Sequence, residues 1–196
     1  MRVPFRRDSV SCAAMDAQEI SRLIAPFVSS PGLSAKQLNA ISIYIDILLR
    51  WNRKINLTAV RKPEEIVTRH FGESLFAARH LLEGGALRVM DVGSGAGFPG
   101  LPLKIHAPAI RLTLIESHSR KAAFLREVIR ALQLADAEVF AGRAEEFRGS
   151  GELITLRAVE KFERALPVAA RIMAPRSRMA LLIGERQAEQ ARLGLP

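Results

Sequence analysis

Apolar residues recur along the first part of the chain with the three-and-four spacing of amphipathic helices; after residue 85 they gather into short continuous runs. Ile20, Leu23, Ile24 and Phe27 make one helical face, opened by Asp16 and Glu19 at capping-box spacing. Ser34 and Gln37 repeat the device ahead of Leu38, Ile41, Ile45, Leu48 and Leu49, a stripe that runs to about Trp51. The polar and basic passage Trp51-Asn52-Arg53-Lys54-Ile55-Asn56-Leu57-Thr58 then breaks the period. Pro63 suits the first position of a third helix, where its missing N–H is not needed, and Glu64 and Glu65 suit the positive helix end. Ile66, Val67, His70, Phe71, Ser74 and Leu75 share the inner face of that helix, and Gly84-Gly85 ends it.

The later runs, at 88–92, 111–116, 137–141, 152–157 and 178–183, read as strands, with helical segments between most of them. The clearest helix runs from Ser119 to Leu132, with Ala123, Phe124, Val128, Ile129 and Leu132 inward. Alternating strands and helices require right-handed crossovers and a largely parallel sheet covered on both faces. The expected fold is α/β: a doubly wound, Rossmann-like sheet with an N-terminal helical extension, its ligand at the carboxyl ends of the strands. Residues 1–15 lack periodicity and are expected to be disordered, 16–85 form the helical region, and 86–196 carry the sheet.

Composition narrows the classes. A chain of 196 residues, 48% apolar and 25% charged, fits one principal globular domain. Its one cysteine, Cys12, permits neither a disulfide framework nor a cysteine metal site within one chain, which suits a reducing cytoplasm. His70, His80, His106 and His118 show no ligand spacing, so no metal is expected. No run reaches the roughly 18 apolar residues of a membrane span, and no apolar stretch follows the basic N-terminus, so no secretory signal is expected. A net charge of +9 points to a polyanionic partner or simply to high solubility. From Arg50 to His80 there are seven Lys/Arg residues against three acids, an excess able to follow a nucleic-acid backbone.

The candidate chemistry centres on Arg88-Val89-Met90-Asp91-Val92-Gly93-Ser94-Gly95-Ala96-Gly97-Phe98-Pro99-Gly100. The glycines permit positive φ and a close backbone approach to a ligand, and N–H groups at the following helix start favour anionic or polar groups. Two patterns overlap: Gly95, Gly97 and Gly100 match the dinucleotide fingerprint, and Asp91, Gly93, Gly95 and Gly97 match the acid-glycine pattern of S-adenosylmethionine (AdoMet) sites. Glu116, 19 residues after Gly97, can accept both hydroxyl protons of a ribose, which NAD and AdoMet share. Asp91 leans toward AdoMet, because a carboxylate beside the loop suits a cationic amino-acid end better than a pyrophosphate.

The loop Ala141-Gly142-Arg143-Ala144-Glu145-Glu146 overhangs the same sheet edge, where backbone groups can meet an adenine, although alone it reads as an ordinary helix start. Arg157 stands at the tip of the fourth strand and is expected to contact cofactor or substrate. The Asn/Asp-Pro-Pro-aromatic motif of amine-directed methyltransferases is absent there, and Cys12 lies in the wrong region for a C5-pyrimidine nucleophile. A ring nitrogen with a free lone pair, such as guanine N7, needs alignment and exclusion of water rather than a general base. No catalytic acid–base residue is identified. Trp51 and His70 read first as core side chains, and only second as a base-stacking platform and a catalyst.

Trp51-Asn52 with Asn56-Leu57-Thr58, Arg69-His70 with Glu73-Ser74-Leu75, the run from Asp91 through Gly100-Leu101-Pro102-Leu103, Arg143-Ala144-Glu145-Glu146 and Arg157-Ala158 closely resemble the signatures of the RsmG (GidB) family. The likeness covers roughly residues 17–184. It implies AdoMet-dependent methylation of guanine N7 in the 530 loop of bacterial 16S ribosomal RNA, with 16S RNA or the small ribosomal subunit as partner. A cytoplasmic monomer is expected, since cysteine usage suits the cytoplasm and nothing in the pattern requires a dimer. It implies cofactor contacts at Gly93 and Phe98, at Glu116 for the ribose, at Ala144 and Glu145 near the adenine, and at Arg157. Two departures stand out: Ile183 occupies the place of a lysine, and the final strands that complete the family's sheet are missing from the pattern. Two other readings are carried, a dinucleotide-dependent oxidoreductase and a catalytically weak RNA-binding or ribosome-assembly protein. Titration calorimetry against AdoMet and NAD is expected to show tighter AdoMet binding; tighter NAD binding would sink the methyltransferase reading.

Overall fold

A computed structural model describes residues 15–82, 87–158, 162–185 and 187–188. The disorder expected of the first residues and the Gly84-Gly85 stop fall outside that set, apart from Met15. Five strands, β1 Arg88–Val92, β2 Arg111–Ile115, β3 Ala137–Phe140, β4 Gly151–Arg157 and β5 Met173–Leu182, form one parallel sheet in the order β3-β2-β1-β4-β5. The chain runs outward from β1 to β3 and then crosses back to β4, so the strand order reverses between β1 and β4. Ligands bind at such a switch point, at the carboxyl ends of the strands.

The helices are α1 Ala17–Ile24, α2 Ala35–Asn52, α3 Pro63–Glu65, α4 Gly72–Leu81, α5 Gly100–His106, α6 Ser119–Ala131 and α7 Phe162–Arg171. Period-2 alternation sends strand residues to two faces. Val89, Leu112, Leu114 and Leu153 join a core with Ile41, Tyr44, Phe71, Leu101 and Phe124, so the N-terminal helices, α5 and α6 share one face. Met90, Val92, Ile115, Ile154 and Leu156 face the other way, toward Ala169 and Ile172. Between β3 and β4 the connection holds only a 3₁₀ turn, Ala144–Glu146, rather than the start of a regular helix.

Several local expectations are corrected. Asp16 caps α1 through the Gln18 amide, but Glu19 turns to Arg22 instead of closing the box. The Ser34–Gln37 box does form, and Gln37 also donates to the Ile105 and His106 carbonyls at the end of α5. On α6 the inward positions are Ala122, Phe124, Leu125 and Val128, and Ala123 is exposed. The third helix is not uniform: between α3 and α4 lies a π segment, Ile66–Phe71, a widened turn of a kind often found at functional sites. The Ser74 hydroxyl donates to the His70 carbonyl across this turn at 2.6 Å. Strand β5 begins at Met173, not 178; the register jumps from Gly151–Met173 to Leu153–Arg178, so residues 174–177 bulge and Arg176 takes φ 60°. Regular pairing starts at Arg178, where the apolar run begins.

The basic passage after α2 is ordered by one buried amide. Asn52 Oδ1 accepts from the Leu57 and Thr58 amides at 2.9 and 3.1 Å, and its Nδ2 donates to the Thr58 carbonyl at 2.9 Å. A side chain that holds three backbone groups this way sets the loop's path over the sheet edge. Asn52→Ala is expected to lower stability by about 2 kcal/mol, the cost of stranding buried polar groups; urea melts showing no loss would contradict this account of the loop.

Candidate functional site

The glycine loop after β1 is shaped by its neighbours. Gly93, Gly95 and Gly97 all have positive φ, 69°, 55° and 87°. A Cβ on Gly97 would lie 2.5 Å from the Tyr44 hydroxyl and from Leu101 Cδ1; one on Gly100 would lie 2.7 Å from Leu114 Cδ2 and 2.9 Å from Asp91 Oδ2. Gly95 differs: only the Gly93 carbonyl lies within 4 Å, at 3.7 Å, so its open side is a place where a ligand can approach the backbone. The buried Tyr44 hydroxyl donates to the Ala96 carbonyl, and its ring stacks on Phe98 at 5.4 Å and meets Phe71 edge-on at 5.2 Å.

The loop's amides are largely spent. Gly93 and Ser94 donate to the Ile115 carbonyl, Gly97 donates to the Ser94 carbonyl, and Gly95 donates to Glu116 Oε2 at 2.9 Å. A pyrophosphate needs such groups free. The loop therefore does not form the phosphate cradle that the dinucleotide fingerprint suggests. Glu116 also accepts from the His118 amide at 2.7 Å; with one N–H on each oxygen it keeps lone pairs for a ribose diol.

Asp91 is not where the sequence placed it. It is 1% exposed and faces the N-terminal helices' side of the sheet instead of lining the cleft. Oδ1 accepts from its cross-strand partner Thr155 at 2.7 Å, while Oδ2 has no well-formed hydrogen bond. Burial pushes its carboxyl up to about 6, outweighing the Thr155 and Ser94 hydroxyls, the Gly100 amide and the Arg157 charge.

Period-2 alternation puts Arg157 on the same face as Asp91 and Thr155, against the N-terminal helices. Its Nη2 lies 2.5 Å from Glu73 Oε2 and 3.0 Å from His70 Nδ1, and its guanidinium sits 5.8 Å from the Phe98 ring centroid. It is an interior tie between strand and helix rather than a surface arginine. His70, read first as a core residue, lines the cleft: its Nε2 is 2.7 Å from Thr58 Oγ1 and its ring 4.9 Å from Phe98. Burial, with Arg157 and Arg69 nearby, lowers its pKa to about 4, so the imidazole is neutral at pH 7. Trp51 instead packs edge-on against Phe124 and donates to Glu127 at 2.9 Å, a structural role.

Gly93, Phe98, Glu116 and Arg157 thus line one cleft of about 740 Å³, together with Thr58, His70, Ala158 and Ile183. Ala144 and Glu145 line an adjoining hollow of about 460 Å³ that shares Gly93 and Ser117 with it. A third hollow of about 450 Å³, sharing His118 and Lys121, is lined by Arg53, Lys54 and Arg120 with no acid. Thr58, His70 and Glu73 are not legible in the sequence as one site because His70 and Glu73 meet Arg157 across the fold and Thr58 joins them only through His70; the π turn is the local mark at His70.

A parallel sheet with its cleft at the switch point and a glycine loop closed onto a carboxylate just past β2 is the architecture of Rossmann-like methyltransferases. Solved structures with this fold include a ribosomal protein L11 methylase from Lactobacillus delbrueckii subsp. bulgaricus (TM-score 0.55, 14% identity, covering 65% of this chain and 66% of that one). A precorrin-6y C5,15-methyltransferase from Geobacter metallireducens GS-15 is another (TM-score 0.53, 11% identity, 61% and 67%). The model of the GidB family, rRNA small subunit methyltransferase G, matches residues 37–194, and the chain belongs to that family. Curated relatives named ribosomal RNA small subunit methyltransferase G include one from Desulfitobacterium hafniense (strain Y51), 40% identical over 72% of this chain and 60% of its own length. One from Xanthomonas axonopodis pv. citri (strain 306) is 40% identical over 78% of this chain and 75% of its own. Among the described residues no helix is long and apolar enough to cross a membrane, and no group of three or more His, Cys, Asp or Glu could hold a metal ion.

The two shifted groups oppose one another in acid. Asp91's pKa is raised from 3.8, so its stabilising contribution is full below that value and is lost as pH rises through about 6. His70's is lowered from 6.5, so its contribution is present above that value and is lost as pH falls toward about 4. The D91N variant is expected to be more stable than the parent at pH 7.5, by up to about 3 kcal/mol, and to lose that lead as pH falls from 6 to 4. Melting curves across pH that run parallel for the two proteins would contradict these environments.

Proposed function

We propose that this chain transfers the methyl group of AdoMet to N7 of a guanine in the 530 loop of bacterial 16S ribosomal RNA. The observation that carries the reading is one cleft with two unlike walls: the open glycine loop and Glu116 on one side, and Phe98, Thr58, His70 and Arg157 on the other. The first wall suits a nucleoside, since Glu116 retains acceptor capacity for ribose hydroxyls and the missing side chain at Gly95 leaves room for a close approach. Gly93 completes the cofactor contacts on that wall, Phe98 and Arg157 reach the cofactor from the opposite wall of the same cleft, and Ala144 and Glu145, in the adjoining hollow, take the adenine. When bound, the cofactor supplies a methyl group activated on a sulfonium.

The chain's own residues have little proton chemistry to do. Guanine N7 carries a lone pair and no proton, so the work is to align it and keep water out. Phe98 is 5% exposed and forms the apolar floor beside His70. Glu73 and Arg157 neutralise one another and hold the strand tip to the helix. The RNA backbone follows the acid-free basic hollow formed by Arg53, Lys54 and Arg120, which opens beside the cleft. The small ribosomal subunit or its RNA is the partner, and a cytoplasmic monomer the working form.

A second reading, an RNA-binding or assembly protein with weak catalysis, is favoured by one observation: apolar Ile183 lines the cleft where the resemblance expects a lysine. Incubation with labelled AdoMet and unmodified 16S RNA or small subunits separates the two. Methyl label recovered as N7-methylguanine in the 530 loop is the expected result; AdoMet and RNA binding without transfer would favour the second reading. Replacing Arg53 and Lys54 by alanine is expected to weaken RNA binding and reduce the salt slope of affinity by about 2. Calorimetry should show AdoMet affinity untouched; an unchanged RNA salt slope would remove the basic hollow from the RNA path.

A further inference from the structure

The acceptor wall contains a chain of hydrogen bonds whose direction is fixed by chemistry. A guanidinium only donates. Arg157 Nη2 has two hydrogens and faces two acceptors, Glu73 Oε2 at 2.5 Å and His70 Nδ1 at 3.0 Å. His70 Nδ1 must therefore present its lone pair, and the proton of the neutral ring sits on Nε2. Nε2 is 2.7 Å from Thr58 Oγ1, so it donates to that oxygen. The Val60 amide donates to the same oxygen at 3.1 Å. A hydroxyl oxygen has two lone pairs, and both are now filled.

What remains to Thr58 is its own proton, which has no acceptor among the described residues. The residue lines the cleft, and its backbone N–H and carbonyl are both clamped by buried Asn52. The side chain is thus a donor on a fixed support that cannot also accept.

Resting on the N7 reading above, we propose that the Thr58 hydroxyl donates to the exocyclic carbonyl oxygen of the acceptor purine and so selects guanine over adenine. On the edge that exposes N7, guanine carries a second acceptor, O6, where adenine carries an amino donor. A threonine with a free lone pair would tolerate either base. Thr58 with both lone pairs occupied pairs with O6 and meets the hydrogens of an adenine amino group with another hydrogen. Arg157 and His70 are positioning residues in this scheme: they act on the base through Thr58.

The test uses the full chain and target-loop RNA carrying guanine, inosine, 2-aminopurine or adenine at the modified position. Inosine keeps O6 and 2-aminopurine lacks it. The unaltered protein is expected to methylate guanine and inosine RNA with similar kcat/KM and 2-aminopurine RNA about 10- to 100-fold less well. Thr58→Val should lose a similar factor on guanine and no longer distinguish guanine from 2-aminopurine, whereas Thr58→Ser should keep both rate and preference. AdoMet affinity, measured by calorimetry, should not change in either variant. A Val variant that keeps the preference overturns the proposal, and if it also binds AdoMet more weakly the hydroxyl serves the cofactor. Nitrogen chemical shifts placing the His70 proton on Nδ1 overturn it independently of activity. Absence of N7 product with all four bases in the unaltered protein is the separate signature that the function itself is wrong.

Discussion

The contact on which the rest of the site depends is the hydrogen bond from Tyr44 to the Ala96 carbonyl. Tyr44 belongs to α2, in the N-terminal helical region, and Ala96 lies in the middle of the glycine loop. Both partners are buried, so breaking the bond would strand a hydroxyl and a carbonyl away from water. The same ring packs on Phe98 and Phe71, and the lack of a side chain at Gly97 leaves room for its hydroxyl. The helical region is therefore part of the loop's own support, and it shares one hydrophobic core with the sheet.

From that anchor the two walls of the cleft follow. Glu116 fixes the loop from the β2 side by accepting from Gly95, while α4 and the π segment bring Glu73 and His70 over the tip of β4 to meet Arg157. The polar groups on this face run in a line, Asp91 to Thr155 along the sheet and Arg157 to His70 and Thr58 across to the helices. Burying such groups is costly unless each finds a partner. Asp91 shows the cost, since one of its oxygens has no aligned donor and its carboxyl is pushed up toward neutrality. A neutral histidine and an internally paired arginine leave the wall opposite Glu116 without a general base among the described residues, which fits the proposed transfer to an atom that already has a lone pair.

Much of this was legible in the residues. Strand positions at 88–92 and 111–116 (the second ending one residue sooner, at Ile115), the Ser34 capping box, the glycine loop and Glu116 rest on local rules of period, turn chemistry and spacing. Three misreadings share a cause. Local pattern points Asp91 at the ligand, His70 at the core and Glu19 at a capping box; in each case the outcome depends on which neighbour the fold supplies. The dinucleotide fingerprint failed for the same reason, because nothing in Gly95-Ala96-Gly97-Phe98-Pro99-Gly100 says that Ile115 and Glu116 will take up the loop's amides.

The sequence by itself determined the alternation of strands and helices, the family and the glycine-loop half of the cleft, since these follow from short-range patterns. Only the tertiary structure decided the opposite half. Thr58, His70, Glu73 and Arg157 are separated by up to 99 positions along the chain, and the direction of their hydrogen bonds is set by which atoms the packed helices and strand tip bring within 3 Å of each other. No local pattern carries that information, because a hydrogen bond's polarity is a property of the pair and not of either residue.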